Sequence, residues 1–401
     1  MRFFLVLLLS MALVYGASSI PSPIPLPQNI FIDIDAKECD NECAQILLHE
    51  EKIFSFLSRY KKATGHDEIE RLLEKNQYIF RTGPQSERTM DTLATIKIAV
   101  LVPQKVIKKY SVTTVNSIIS FLLHKNNYFD LKVFNSDDEK ESSIITTVEN
   151  IKAENYLYVI APLTQEGARI LVNNSSGLTI YIPTLHKSSI NNSEENIFFG
   201  GIDYEQQIAK LAEFANDKIA IFNDGTQLGE QLNDMVKTYS PRVVYNKKID
   251  NSKVNFKQLF KGNGTLNNAS IYLNTPLVKT SLIASQLRAN EVKPHMLLST
   301  QINYNPMLLT LTQYEDRNNM LIANSIQKTS TELEEANGLF GQDIVYDWVN
   351  YSTSIGMDYF YSTFFETGSS RLFKEEIMNN QTQYNISIIK PARYEFTKAE
   401  N

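Results

Sequence analysis

The sequence predicts an α/β protein whose main body is two Rossmann-like parallel sheets with helices between their strands. Short apolar runs recur along residues 97–327, beginning Lys97-Ile-Ala-Val-Leu-Val-Pro103 and returning as Tyr156-Leu-Tyr-Val-Ile-Ala-Pro162, Leu178-Thr-Ile-Tyr-Ile-Pro183 and Lys218-Ile-Ala-Ile-Phe-Asn223. Further runs follow at Ala269-Ser-Ile-Tyr-Leu-Asn274, His295-Met-Leu-Leu-Ser299 and Met320-Leu-Ile-Ala-Asn-Ser325. Each is bounded by turn residues, and helix-period segments separate them. The runs are apolar throughout instead of alternating, which is the pattern of parallel strands buried on both faces. Sheets of this kind hold ligands outside the carboxyl ends of their strands.

Taken from the start, residues 1–18 read as a secretory signal. Arg2 is the positive start, Phe3 to Tyr15 is apolar, and Val14-Tyr-Gly16 or Gly16-Ala-Ser18 is a small-residue cleavage site. The apolar stretch is shorter than the roughly 20 residues a spanning helix needs, so cleavage is expected and an anchor is not. No Cys follows it to carry a bacterial lipid, and no later segment is apolar enough to span a bilayer. Abundant Asn, Lys and Ile with one Trp resemble the usage of an AT-rich bacterium, which makes the expected compartment the periplasm. The formal net charge of −6, without a basic block, argues against nucleic acid as a partner.

Pro21-Ser-Pro-Ile-Pro-Leu-Pro27 marks residues 19–36 as an extended tether. Residues 37–95 are expected to hold a short helical segment and a linker. Ile46, Leu47, Phe54, Leu57 and Tyr60 give the helix period, Thr64-Gly65 interrupts it, and Gly83-Pro84 lies in the linker. The only cysteines, Cys39 and Cys43, are read as a disulfide, since export favours pairing and zinc would need four ligands where only His49 is near. So short a loop constrains only the start of the next helix.

The body then divides. Residues 96–202 with about 330–396 are expected to form the first lobe, and 203–329 the second. Expected strands in the first are 97–103, 129–134, 156–162 and 178–183. In the second they are 218–223, 242–249, 269–274, 294–300 and 320–325. Ile197-Phe-Phe-Gly-Gly201 reads as the passage between lobes, residues 341–360 as one returning helix, and the tail from Glu375 to Phe396 as a closing strand pair.

This order of elements resembles the type I periplasmic-binding-protein fold, the family of leucine/isoleucine/valine-binding proteins and many receptor ectodomains. The resemblance covers about residues 96–396. It is carried by Lys97-Ile-Ala-Val-Leu-Val-Pro103, Val159-Ile-Ala-Pro-Leu-Thr164, Gly201-Ile-Asp-Tyr204 and Lys218-Ile-Ala-Ile-Phe-Asn-Asp-Gly-Thr-Gln-Leu-Gly229. A helical segment before such a domain also resembles the LppC/LpoA group, activators of penicillin-binding proteins, from which this chain departs in its missing lipid-anchor Cys and shorter helical part.

The resemblance implies a ligand head group held after the third and fourth strands, here by Thr164, Thr184 and Ser188, where hydroxyls and a helix amino terminus form a carboxylate seat. Across the cleft stand Asp203, Tyr204, Asn223-Asp224-Gly225 and Asn274-Thr275, with Tyr204 and Asp224 the expected contacts. The plainer alternative makes Thr164 a helix cap and Asp224-Gly225 a turn. Bulky Leu163, Leu185 and His186 stand where the family's binders carry small residues. His186-Lys187 and the acidic Asp137-Asp138-Glu139 read as solvated loop charges, with anion binding or proton transfer the alternative for the first and general-acid chemistry for the second. The aromatic series Tyr346, Trp348, Tyr351, Tyr359, Phe360, Tyr361, Phe364 and Phe365 reads as core packing or as a contact patch.

No Gly-x-Ser-x-Gly, His-Glu-x-x-His or Walker loop occurs, so catalytic residues, metal and cofactor are not expected. The expected function is therefore a non-catalytic periplasmic binding protein acting through contacts with an envelope protein partner. The alternative is a receptor for an amino acid or similar small polar solute in the cleft. A filled cleft with an exposed apolar patch would mark the first, and an open polar cleft the second.

Overall fold

The computed structural model describes residues 39–50, 56, 96–190, 194–240, 242–249 and 254–399. The expected signal, the tether and most of the helical segment lie outside the described residues. The chain divides into two units, Met1–Thr92 and Leu93–Asn401. In the first, Cys39 and Cys43 are joined with a Cα–Cα distance of 5.3 Å. Between them Asp40 caps the helix Asn41–His49 by accepting from the Cys43 amide at 2.9 Å.

The second unit contains two mixed sheets of seven strands, each mostly parallel, in a two-lobe α/β arrangement. The first sheet contains β1 (Ile96–Val102), β2 (Phe129–Asn135), β3 (Tyr158–Ile160), β4 (Thr179–Ile182) and β5 (Ile197–Phe199) in the order β2-β1-β3-β4-β5. The second repeats that order with β6 (Ile219–Asn223), β7 (Val243–Lys248), β8 (Ser270–Asn274), β9 (Met296–Ser299) and β10 (Met320–Asn324) as β7-β6-β8-β9-β10. In each sheet the order reverses beside the first strand, so each lobe has its own topological switch point.

Strands β6, β8 and β10 are buried at every residue because helices cover both faces. The pleat then divides one apolar run between two cores. Ile98, Val100 and Val102 of β1 pack on one side with the returning helix, and Ala99 and Leu101 on the other with the helices after β2 and β3. The second sheet repeats this, with Ala220 and Phe222 on one face and Ile219 and Ile221 on the other.

The structure differs from the sequence reading at three places. Ile197-Phe-Phe199 is not merely a passage: it pairs with β4 as a fifth strand, and the chain crosses after it at Gly200-Gly201. The returning helix expected over 341–360 starts only at Trp348 and runs to Phe360, because Asp347 caps it by accepting from the Val349 and Asn350 amides; a separate helix, Thr331–Leu339, precedes it and ends ahead of Gly341, whose φ is 65°. The tail makes two strand pairs instead of one. β11 (Glu376–Met378) and β12 (Gln381–Gln383) extend the first sheet beside β5, whereas β13 (Ser387–Pro391) and β14 (Phe396–Lys398) extend the second beside β10. Buried Arg317 anchors that last hairpin by donating to the carbonyls of Thr312, Ala392 and Arg393. No described helix is long and apolar enough to cross a membrane.

Candidate functional site

A cavity of about 790 Å³ opens between the lobes. From the second lobe it is lined by residues that follow strand ends. Asp224 follows β6, Asn274 ends β8 with Thr275 after it, and Gln301 and Tyr304 follow β9, with Tyr204 at the first turn of its helix. The first lobe supplies Lys109 and Tyr110 from the helix Lys109–His124, Asp343, Tyr346 and Asp347 from the segment before the helix Trp348–Phe360, and Trp348 from its first turn. Tyr304 and Tyr346 meet across the lobes with ring centroids 4.8 Å apart. Two further contacts join the lobes: Gln227 donates to Gln165 at 3.3 Å, and the His186 ring lies 3.7 Å from the Asp203 carboxylate.

The wall on the second lobe contains polar groups with nothing to bond. Asn274 is 1% exposed, and both its Nδ2 and its Oδ1 lack a partner among the described residues. Gln301 is 3% exposed; its backbone amide donates to Gln207 and its Oε1 accepts from Ser325, but its Nε2 has no partner among the described residues. Buried amide groups are normally satisfied, and leaving one unpaired costs on the order of 1–3 kcal/mol. The helix Leu277–Ala289 begins beside them, after Pro276, with no side-chain cap.

The corresponding place in the first lobe is closed by the protein itself. Glu139, 8% exposed, turns inward and sets its carboxylate at the start of the helix Gln165–Asn174. It accepts from the Thr164 amide at 2.7 Å, from the Gly167 amide at 3.3 Å and from the Thr164 hydroxyl. A carboxylate bound to a helix amino terminus is the favourable arrangement there, and in this chain the carboxylate is internal. Gly167 permits the fit, since a Cβ at that position would lie 2.6 Å from the Glu139 carboxyl carbon.

Of the residues expected at a ligand, Tyr204 and Asp224 line the cavity. The Thr164 hydroxyl donates to Glu139, and the Thr184 hydroxyl donates to the Leu163 carbonyl at 2.5 Å while accepting from the Leu163 amide. The Ser188 hydroxyl is paired with His186 Nδ1 at 2.7 Å. Asp224 is also a turn residue, its Oδ1 accepting from the Thr226 amide and hydroxyl. His186-Lys187 is tied into the fold, with Lys187 Nζ donating to the Asn379 carbonyl, and burial pushes the His186 pKa down.

Tyr110, Gln301, Tyr304 and Asp347 were not singled out in the sequence. Position just beyond a strand end was the available signal for Gln301 and Tyr304. The aromatic series divides: Tyr351, Phe360 and Tyr361 are buried in the first core, whereas Tyr346 and Trp348 face the cavity. Burial pushes the Tyr304 hydroxyl up to about 12 and raises Tyr110, to which the nearby Asp347 charge adds. Asp347 is itself raised, first by burial. These tyrosines are neutral donors at physiological pH. No group of three metal-ligating side chains occurs among the described residues.

No family model and no curated protein matches the sequence. Solved structures do match the fold. The branched-chain amino acid substrate-binding protein LivJ of Streptococcus pneumoniae, in complex with isoleucine, is 10% identical with a TM-score of 0.54, over 77% of this chain and 99% of that one. A substrate-binding protein of an ABC transporter from Aeropyrum pernix is 12% identical with a TM-score of 0.56, over 76% and 94%. The C-domain of LpoA from Haemophilus influenzae, a regulator of PBP1A, is 9% identical with a TM-score of 0.51, over 76% and 100%. The chain thus has the type I periplasmic-binding-protein fold, which these neighbours use for small ligands in one branch and for regulation of another protein in the other.

Proposed function

We propose that this chain is a non-catalytic, periplasmic binding protein that captures a small polar ligand in the cleft between its lobes and holds it mainly against the second lobe. The observation that carries this reading is that, among the described residues, the buried Asn274 amide and the Gln301 Nε2 have no partner, on residues that line an interlobe cavity of about 790 Å³. A ligand supplying their missing partners would remove a standing cost to the fold. An α-amino acid fits less well, because Glu139 already occupies the first-lobe seat where its carboxylate would go. The test is a thermal-shift screen of the purified protein against small polar molecules, repeated on Asn274→Leu. A compound that raises the melting temperature of the parent and not of the variant supports the reading. A screen in which nothing stabilises the parent overturns it.

The contact reading keeps one specific support. The helices Leu277–Ala289 and Met307–Leu311 pack together and expose Val278, Leu282, Met307 and Leu311, with Val278 65% exposed. Apolar residues grouped on a surface in this way are common at protein interfaces. A photo-reactive residue at position 278 that captures one envelope protein reproducibly would support this second reading; uniform, non-specific labelling would count against it.

A further inference from the structure

A second cavity, of about 330 Å³, lies where the chain crosses between the lobes, and it shares no lining residue with the cleft. Residues 325–330 run from β10 of the second sheet to the helix Thr331–Leu339 of the first lobe, and residues 384–386 run from β12 back to β13. Gln327, Lys328 and Asn385 of these two crossings line the cavity, and Gln327 Nε2 donates to the Asn385 carbonyl at 2.7 Å.

The wall on the first lobe contains a carboxylate that the fold leaves short of partners. Glu139, Asp316, Asp358 and Glu375 are the buried carboxylates among the described residues. Glu139 accepts from two amides and a hydroxyl. Asp316 accepts from Arg288, Ser285 and the Gln313 amide. Asp358 accepts from Arg371 and from the Leu372 and Phe373 amides. Glu375, 4% exposed and part of the cavity lining, has one bond only, from the Tyr351 hydroxyl to its Oε1 at 2.7 Å. Arg371 pairs with Asp358 and donates to the Glu375 backbone carbonyl, not to its carboxylate. Among the described residues, therefore, neither a cation nor a backbone amide meets the Glu375 carboxylate. A buried carboxylate is costly without charged or multiple donors, so the missing partner is a donor, and a cationic donor offsets the charge best.

The exposed part of the lining has the opposite sign. Lys328 and Lys374 are exposed, line the same cavity and bond no acceptor among the described residues. Buried Leu333 and Phe373 add an apolar wall. A ligand that is only a cation is repelled by the two lysines, and one that is only an anion is repelled by Glu375. A molecule with both signs is attracted by both.

We propose that this cavity is a second binding site, for a small zwitterion whose ammonium and acid groups stand at opposite ends of an apolar stem, as in an ω-amino acid. The ammonium bonds Glu375, the stem lies on Leu333 and Phe373, and the acid group meets Lys328 and Lys374. Leucine carries both charges on one carbon and does not reach both ends.

The experiment is isothermal titration of the purified protein with δ-aminovalerate and ε-aminocaproate, and with pentylammonium, caproate and leucine as controls. The expected result is one-to-one binding of at least one of the two zwitterions, about tenfold or more tighter than any control, since each control lacks one charged end or the separation. Glu375→Gln keeps an acceptor for Tyr351 and should weaken binding by about tenfold or more. Replacing Lys328 and Lys374 together by Ala should weaken it by about threefold, as expected for exposed charges. These lysines are exposed and leave the packing untouched, so this arm holds even where Glu375→Gln fails to fold. Asn274→Leu, in the separate cleft, should leave the affinity within about twofold. Loss of binding in Asn274→Leu with binding kept in Glu375→Gln would put the compounds in the cleft and overturn the second site. Binding of neither zwitterion, or of pentylammonium as tightly as the zwitterions, overturns it as well and leaves the cleft reading untouched.

Discussion

In the first lobe the helix that follows the third strand starts on a carboxylate already in place, whereas in the second lobe the third strand ends in an amide with no partner among the described residues. The two lobes repeat one strand order, so these positions correspond: Thr164 to Gly167 after β3, and Asn274 to Leu277 from the last residue of β8 onward. Glu139 satisfies the first set internally. Asn274 and the uncapped start of the helix Leu277–Ala289 leave the second set open. One topology thus supplies two corresponding positions, and a single side chain from a neighbouring loop fills the first while the second keeps unpartnered polar atoms among the described residues. Fold likeness alone would assign them the same role.

Removing Glu139 should break the comparison most severely. Glu139→Ala deletes a buried carboxylate that accepts from two amides and a hydroxyl, and hydrogen bonds to a charged group are worth about 1.5–3 kcal/mol. The expected loss in chemical denaturation is about 2–3 kcal/mol. Added acetate should restore part of it in the variant and do nothing for the parent. A variant as stable as the parent would mean that the internal carboxylate is incidental.

The opposite sign is expected across the cleft. Asn274→Leu replaces an unpartnered buried amide by an apolar group of similar size, and should raise stability by about 1 kcal/mol while binding is lost. Stability and function moving in opposite directions is what a ligand wall predicts. A loss of stability would show that the amide has a structural task.

The smallest effect concerns pH. Burial raises the Asp347 pKa, and Asp343 adds to the shift, while the Val349 and Asn350 amides and Lys109 oppose it. The folded state therefore binds this proton more tightly than the unfolded chain does. Its contribution to stability is largest at acid pH and is lost as pH rises through the native pKa. Asp347→Asn should remove that slope, so unfolding curves of variant and parent should converge at acid pH and separate toward neutral, with the variant the more stable. Parallel pH profiles would rule the effect out.

Much of this frame is readable in the residues. The unbroken apolar runs of β1, β6 and β8 locate the sheets, and strand ends locate Asp224 and Asn274, because parallel strands all point their carboxyl ends to one side. Other features depend on contacts distant in sequence. Glu139 sits in Asp137-Asp138-Glu139 and reads as a solvated charge, since the amides it meets are 25 and 28 residues away. β5 has only three residues before Gly200-Gly201, too few to show a pattern. The tail reads as a single strand pair because nothing local tells that Ile388 and Ile389 pair with β10 of the second sheet. Tyr304 and Tyr346 meet only because the lobes face one another.

The most direct test of the contrast between lobes is a nuclear magnetic resonance titration with the tightest-binding compound from the thermal-shift screen, following the side-chain amides of Asn274 and Gln301 together with the backbone amides of Thr164 and Gly167. The account predicts large shifts at Asn274 and Gln301 and undisturbed signals at Thr164 and Gly167, which remain bonded to Glu139. Shifts at Thr164 and Gly167 with Asn274 unmoved would contradict it, and would place the ligand in the seat that Glu139 is argued to close.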